Sequence, residues 1–128
     1  MKIIILGAGQ VGGTLTEHLA DEQNDVTVVD NSDAALRQLQ ERLDIRTVKG
    51  DASKPTTLAE AGAEDADMLI AVTDSDEVNM LACAIAFTLY RTPTKICRIR
   101  EVDYLNEDEN LFRSGPIPVD VTNIPKHP

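Results

Sequence analysis

At 128 residues the chain is long enough for one domain with its own core, and its 42% apolar and 27% charged composition is ordinary for a globular protein. A formal net charge of −10 argues against unaided binding to nucleic acid or to an anionic membrane. No apolar run approaches a membrane span, and Ile3-Ile4-Ile5-Leu6 is too short for a signal-peptide core, so the expectation is a cytoplasmic protein without direct membrane insertion.

In chain order, residues 2–6 read as a buried strand that runs straight into Gly7-Ala8-Gly9-Gln10-Val11-Gly12. Residues 11–22 follow as a helix with Val11, Leu15, Leu19 and Ala20 on its inner stripe. A short strand over 26–29 ends at Asp30, and Ser32 or Asp33 can cap a second helix with Ala35, Leu36, Leu39 and Leu43 at helical spacing. Residues 45–48 form a third strand closed by Gly50-Asp51. Lys54-Pro55-Thr56-Thr57 starts a short helix that Ala61-Gly62-Ala63 ends. A fourth strand over 68–72 leads through Thr73-Asp74-Ser75-Asp76-Glu77 into a helix carrying Met80, Leu81, Ala84, Ile85 and Leu89, which Pro93 breaks near residue 90. Residues 95–100 give a fifth strand, 104–112 a helix and 117–121 a short sixth strand. The proline-rich end reads as a linker, which sets the domain at 1–122 and the linker stub at 123–128. Strands separated by helices imply parallel pairing with right-handed crossovers. The expected fold is an α/β, doubly wound, Rossmann-like parallel sheet of order 3-2-1-4-5, with a sixth strand at its edge.

The glycine segment is G-x-G-x-x-G between a strand and a helix, the context in which that pattern binds a dinucleotide. Gly7 permits the turn, Gly9 admits a pyrophosphate to the backbone, and Gly12 allows close packing of the helix. Free amides and the dipole at the helix start favour an anion, so Gly7, Ala8, Gly9, Gln10, Val11 and Gly12 are candidate contacts. Asp30 ends the second strand at the distance where an acid accepts from the ribose hydroxyls; the competing role is capping the next helix. Its charge repels a 2′-phosphate and favours NAD(H) over NADP(H), and Asn31 stands beside it where a base would serve NADP. Asp51 and Ala52 follow the third strand and Thr73 and Asp74 the fourth, at the strand ends where open sheets bind ligands. Asp51 can take the adenine amino group, and Thr73 can reach the pyrophosphate or second ribose.

Asp76 and Glu77 fit helix capping, with a divalent cation beside the phosphates as the alternative. Arg98 and Arg100 share a strand face; a structural ion pair competes with a ligand or subunit contact, and Arg98 is the preferred ligand residue. Cys83 and Cys97 read as buried thiols, without the spacing of a zinc site. His18 and His127 form no catalytic arrangement, and Tyr90 and Lys95 do not make the Tyr-x-x-x-Lys pattern of dehydrogenases.

The glycine loop, Val28-Val29-Asp30, Lys49-Gly50-Asp51, the block from Ala66 to Met80 and Cys97-Arg98-Ile99-Arg100 together resemble the RCK/KTN domains, more narrowly those of the TrkA type in bacterial Trk potassium uptake regulators. The resemblance covers nearly the whole chain, and 67–80 makes it specific. It implies a regulatory domain that binds NAD(H), and in some members ATP or ADP, through Gly7 to Val11, Asp30, Thr73, Asp74 and Arg98. Gln10 stands where ATP-preferring relatives often carry arginine, which favours NAD(H). The resemblance also implies a homo-oligomer at the inner face of the membrane, held by a Trk-type potassium-transporting subunit, within a longer parent protein. Two classes of function are thus in play: a regulatory module that holds the nucleotide, and the cofactor half of an oxidoreductase. No catalytic acid/base pair and no substrate domain are evident, which favours the first and an assignment as a non-enzyme.

Overall fold

The structure, a computed structural model, describes residues 1–105, 111–112 and 121–123. Six strands form one sheet in the order β3-β2-β1-β4-β5-β6, and every pairing is parallel. The strands are β1 (Lys2–Leu6), β2 (Asp25–Asp30), β3 (Arg46–Lys49), β4 (Met68–Ala71), β5 (Thr94–Arg98) and β6 (Val121–Asn123). The helices are α1 (Gln10–Ala20), α2 (Asp33–Arg42), α3 (Pro55–Glu60) and α4 (Asp76–Tyr90).

β1 is central, and its sequence has to satisfy both faces. Ile3 and Ile5 pack with Val26, Val28, Leu36, Leu39 and Ile70 under α1 and α2. Ile4 and Leu6 pack with Leu58, Leu69, Ala82, Cys83 and Ala86 under α3 and α4. All four of these β1 side chains are buried, each contributing roughly 1.5–3 kcal/mol by leaving water. That double burial is why the strand reads as an unbroken apolar run instead of an alternating one.

Local chemistry sets the helix ends. Ser32 caps α2, its hydroxyl accepting from the Ala35 amide at 3.1 Å, and Asp33 pairs with Arg37 one turn on. Pro55 stands in the first turn of α3, where its missing N–H leaves no bond unmade. Ser75 caps α4 through the Val78 amide at 3.1 Å. At the other end Arg91 adopts a left-handed conformation (φ 52°), and the Thr92 amide closes on Ala86 O at 3.1 Å. α4 therefore ends at Tyr90, as expected, with a left-handed cap at Arg91 two residues before Pro93.

α4 also turns a different face inward from the one its large apolar residues suggest. Asn79, Met80, Ala82, Cys83 and Ala86 are buried, whereas Leu81 (49%) and Leu89 (57%) are exposed. Small residues on the inner face let the helix lie close to β4 and β5. Both cysteines are buried there as thiols, as the sequence suggests.

After β5 the structure departs from expectation. The strand ends at Arg98, not at 100, because the Arg100 and Glu101 amides leave the ladder to donate to the Asp76 carboxylate, at 2.9 and 2.7 Å. Val102–Leu105 is a 3-10 turn where a helix over 104–112 was expected, residues 111–112 form a turn, and 106–110 lie outside the described residues. The edge strand stands at Val121–Asn123, sharing only residue 121 with the 117–121 expected and taking in residue 123 of the expected linker, in register from Ile96↔Val121 to Arg98↔Asn123. Residues 113–120, and 124–128 of the expected linker, lie outside the described residues. No helix among the described residues is long and apolar enough to cross a membrane.

Candidate functional site

The carboxyl ends of the parallel strands surround a cavity of about 450 Å³, within the size range of small-molecule sites. Its floor is the β1–α1 turn. Gly7 takes a positive φ of 112°, and a Cβ there would meet Val72 O at 2.9 Å. A Cβ on Gly12 would fall 1.8 Å from Gly7 O, inside the turn itself. These two glycines are required by the fold. Gly9 differs: a Cβ there would meet nothing within 4 Å, so the space it leaves free is empty of protein. It also precedes α1 without a side-chain cap, and the amides of the first helical turn face outward from it.

Asp30 is half-buried at the end of β2 and bridges two elements. One carboxylate oxygen accepts from the Ala8 amide at 2.8 Å and the other from the Ser32 amide at 2.7 Å. Each oxygen keeps a second lone pair for a ribose hydroxyl. Asp30 thus holds the glycine turn and the start of α2, and the competing roles of cap and ribose acceptor are compatible. Asp51 accepts from the Ser53 hydroxyl at 2.6 Å and the Ser53 amide at 2.9 Å; the hydroxyl first, then the amide, lowers its pKa from 3.8.

On the opposite wall, the Thr73 amide and hydroxyl both donate to the Asn79 carboxamide oxygen, at 2.9 and 2.7 Å. Arg98 lines the cavity from the end of β5 and makes no ion pair among the described residues. Arg100 lies outside the strand and pairs at 3.9 Å with Asp74, both side chains being exposed. The structural ion pair open to either arginine is therefore made by Arg100.

The cavity wall brings together Gly7, Gly9, Gln10, Val11, Asp30, Asn31, Asp51, Ala52, Thr73, Asp74 and Arg98. Ala8 and Gly12 are not on it: the Ala8 amide is taken by Asp30, and Gly12 is stacked against Gly7. Ser32, Ala35, Gly50, Ser75 and Val78 join the wall without having been singled out. The last two had a readable signal, because they open α4 directly after the Thr73-Asp74 pair. Asp76 and Glu77 turn the other way. Asp76 holds the Arg100 and Glu101 amides, and Glu77 accepts from the Tyr104 hydroxyl at 2.8 Å, which raises the tyrosine pKa from 10.0. Among the described residues no group of three His, Cys, Asp or Glu side chains is placed to hold a metal ion.

A carboxylate at Asp30, a turn stripped of side chain at Gly9, the uncapped amides of the first turn of α1 and the Arg98 guanidinium give this cavity the chemistry of an anion cradle. The fold class is therefore a Rossmann-type α/β domain. Comparison with known proteins is in keeping: the TrkA-N domain matches residues 3–119, and the chain belongs to that family. It is 62% identical over 120 residues to the "Trk system potassium uptake protein TrkA" of Vibrio alginolyticus, covering 94% of this chain and 26% of that protein. The chain thus spans about a quarter of the relative's length. Among solved structures it resembles the TrkA-N domain of the inner membrane protein ybaL from Escherichia coli (TM-score 0.81, 22% identity, 96% of this chain and 86% of that one). It also resembles the GsuK channel bound to NAD (TM-score 0.69, 23% identity, 80% of this chain and 18% of that one).

Proposed function

We propose that this chain is an NAD(H)-binding regulatory domain of a bacterial Trk-type potassium uptake system, with the nucleotide acting as a ligand and not as a reactant. The observation that carries the ligand assignment is the pairing of an unfilled space at Gly9 with the Asp30 carboxylate across one cavity. The relative from Vibrio supports the potassium uptake context, and the NAD-bound GsuK channel supports this class of ligand on this fold. In this reading Gly7, Gly9, Gln10 and Val11 take the pyrophosphate, Asp30 and Asn31 the adenosine ribose, Asp51 and Ala52 the adenine, and Thr73, Asp74 and Arg98 the other half. ATP or ADP is the second ligand class, able to use the same phosphate cradle. The domain, 1–122, works in the cytoplasm as part of a homo-oligomer against a potassium-transporting membrane subunit, closed symmetric assembly being the usual way for such a domain to gain protein contacts. Nucleotide binding then shifts transport by favouring one conformation of the assembly over another.

Calorimetric titration with NADH, NAD, ATP and NADPH tests the ligand. NADH should bind and NADPH should bind far more weakly, because Asp30 faces the 2′-phosphate. Equal affinities would remove Asp30 from this role. Potassium uptake by cells whose Trk regulator carries Asp30→Ala or Arg98→Ala tests the function, and uptake equal to wild type in both, at equal protein levels, would break the link to transport.

A further inference from the structure

We propose that Asn79 is a positioning residue for the nucleotide: its carboxamide, bonded at once to Thr73 and to the Arg98 carbonyl, sets the gap between the two strand ends that the ligand spans. The inference rests on the nucleotide-binding reading above.

Asn79 lies in α4, is fully buried and is not on the cavity wall. A buried amide in a helix interior has to be satisfied or it destabilises the fold. Asn79 uses all four of its hydrogen-bonding capacities. Its oxygen accepts from the Thr73 amide (2.9 Å) and hydroxyl (2.7 Å); its nitrogen donates to Thr73 O (3.2 Å) and to Arg98 O (3.0 Å). The register of β4 on β5 runs only to Ala71↔Cys97. Beyond that pair the ladder stops, and Asn79 ties Thr73 to the Arg98 carbonyl in its place. Two of the wall residues, Thr73 and Arg98, are thereby fixed to each other by a side chain that never meets the ligand.

No other residue type of this size does the same. Leucine would leave the Thr73 amide, the Thr73 carbonyl and the Arg98 carbonyl without this partner. Aspartate lacks the two donors and would bring a charge into the core. One turn earlier, Asp76 holds the Arg100 and Glu101 amides, so the opening turns of α4 carry the whole segment from 98 to 101.

The test is a double-mutant cycle on NADH affinity: wild type, Asn79→Ala, Arg98→Ala and the double variant. A positioning role predicts that Asn79→Ala weakens NADH about tenfold in the wild-type background and about threefold or less once Arg98 is already truncated. The same factor in both backgrounds means a general loss of structure and overturns the proposal. Should Asn79→Ala fail to fold, the wild-type protein supplies the second readout. The side-chain amide resonances of Asn79 should shift on NADH saturation while those of Asn24, remote from the cavity, stay put; an unmoved Asn79 amide overturns the proposal. A wild-type chain that binds neither NADH nor ATP overturns the function reading and this inference together, whereas binding with equal penalties overturns this inference alone.

Discussion

Gly9 and Gly12 occupy one short motif, yet they answer to different constraints. A valine at position 9 would project into space that no protein atom fills, so Gly9→Val should fold with a urea midpoint close to wild type and lose NADH binding. Gly12→Ala would drive its Cβ into Gly7 O and should cost about 1–3 kcal/mol or more before any ligand is added. Paired denaturation and NADH titrations check both; a Gly9→Val protein that binds NADH as wild type does would refute the site. Asp51 offers a pH signature. Its folded pKa lies below 3.8, so its contribution is present above that pH and lost as pH falls through the folded value. Ser53→Ala should therefore lower stability above this window and converge on wild type below it, seen as urea midpoints against pH. The exposed Lys2–Asp65 pair acts in the same acid window through Asp65, lowered from 3.8 first by its hydrogen bond with Lys2. Lys2, raised above 10.5, contributes below 10.5 and loses that contribution as pH rises through its folded value. The sequence put Asp30 at the end of the second strand, and the structure has it there, on the cavity wall. Sequence alone could not show that Asp30 also grips the Ala8 amide, since that contact joins two turns 22 residues apart.

Among the elements, α4 separates what periodicity reveals from what it hides. Met80, Leu81, Ala84, Ile85 and Leu89 suggest an inner stripe; Met80 is buried and Ile85 packs on the core, but Leu81 and Leu89 are exposed and Ala82, Cys83 and Ala86 fill the rest of the buried face. Size, not hydropathy, decides which face can approach the sheet closely, and a hydrophobicity pattern weighs the larger residues more. The end of the helix is a similar case. Pro93 is the visible breaker, while the stop is made by Arg91 in the left-handed region, where a residue with a Cβ is strained. Arg91→Gly should therefore stabilise the protein by about 0.5–1 kcal/mol, read as a raised thermal midpoint, with NADH affinity unchanged. A lowered midpoint would mean that the arginine side chain contributes more than its backbone costs. The strand after Pro93 was legible at its start and misread at its end, because the Asp76 carboxylate that draws Arg100 and Glu101 out of the ladder is 24 residues upstream of Arg100.

For the whole molecule, alternating apolar runs and helical stripes were enough to order the sheet, since right-handed crossovers leave few ways to lay parallel strands side by side. The position of β6 was approximate, as expected of a short edge strand with little pattern of its own. The charge of −10 has a kinetic consequence for an anionic ligand. Repulsion at long range should slow encounter at low salt, so the NADH association rate should rise as ionic strength approaches physiological, where the Debye length is about 8 Å. Stopped-flow measurements across salt concentrations would check this. A rate that falls with salt would show that the local field of Arg98 and the helix amides outweighs the net charge.

The tie between Thr73 and Arg98 carries one more consequence, concerning the order in which the chain is made. Synthesis delivers the glycine turn first, Asp30 next and Arg98 last, and the gap at the end of β4 is set only when β5 has docked and Asn79 has closed on its carbonyl. A nascent chain halted before β5 would hold most of the residues proposed for the nucleotide and still lack the far wall. On the proposed function, tight binding waits until β5 has docked, and the ligand would act as a check on manufacture, sheltering domains that have closed this wall from proteolysis by mass action while leaving those that have not exposed.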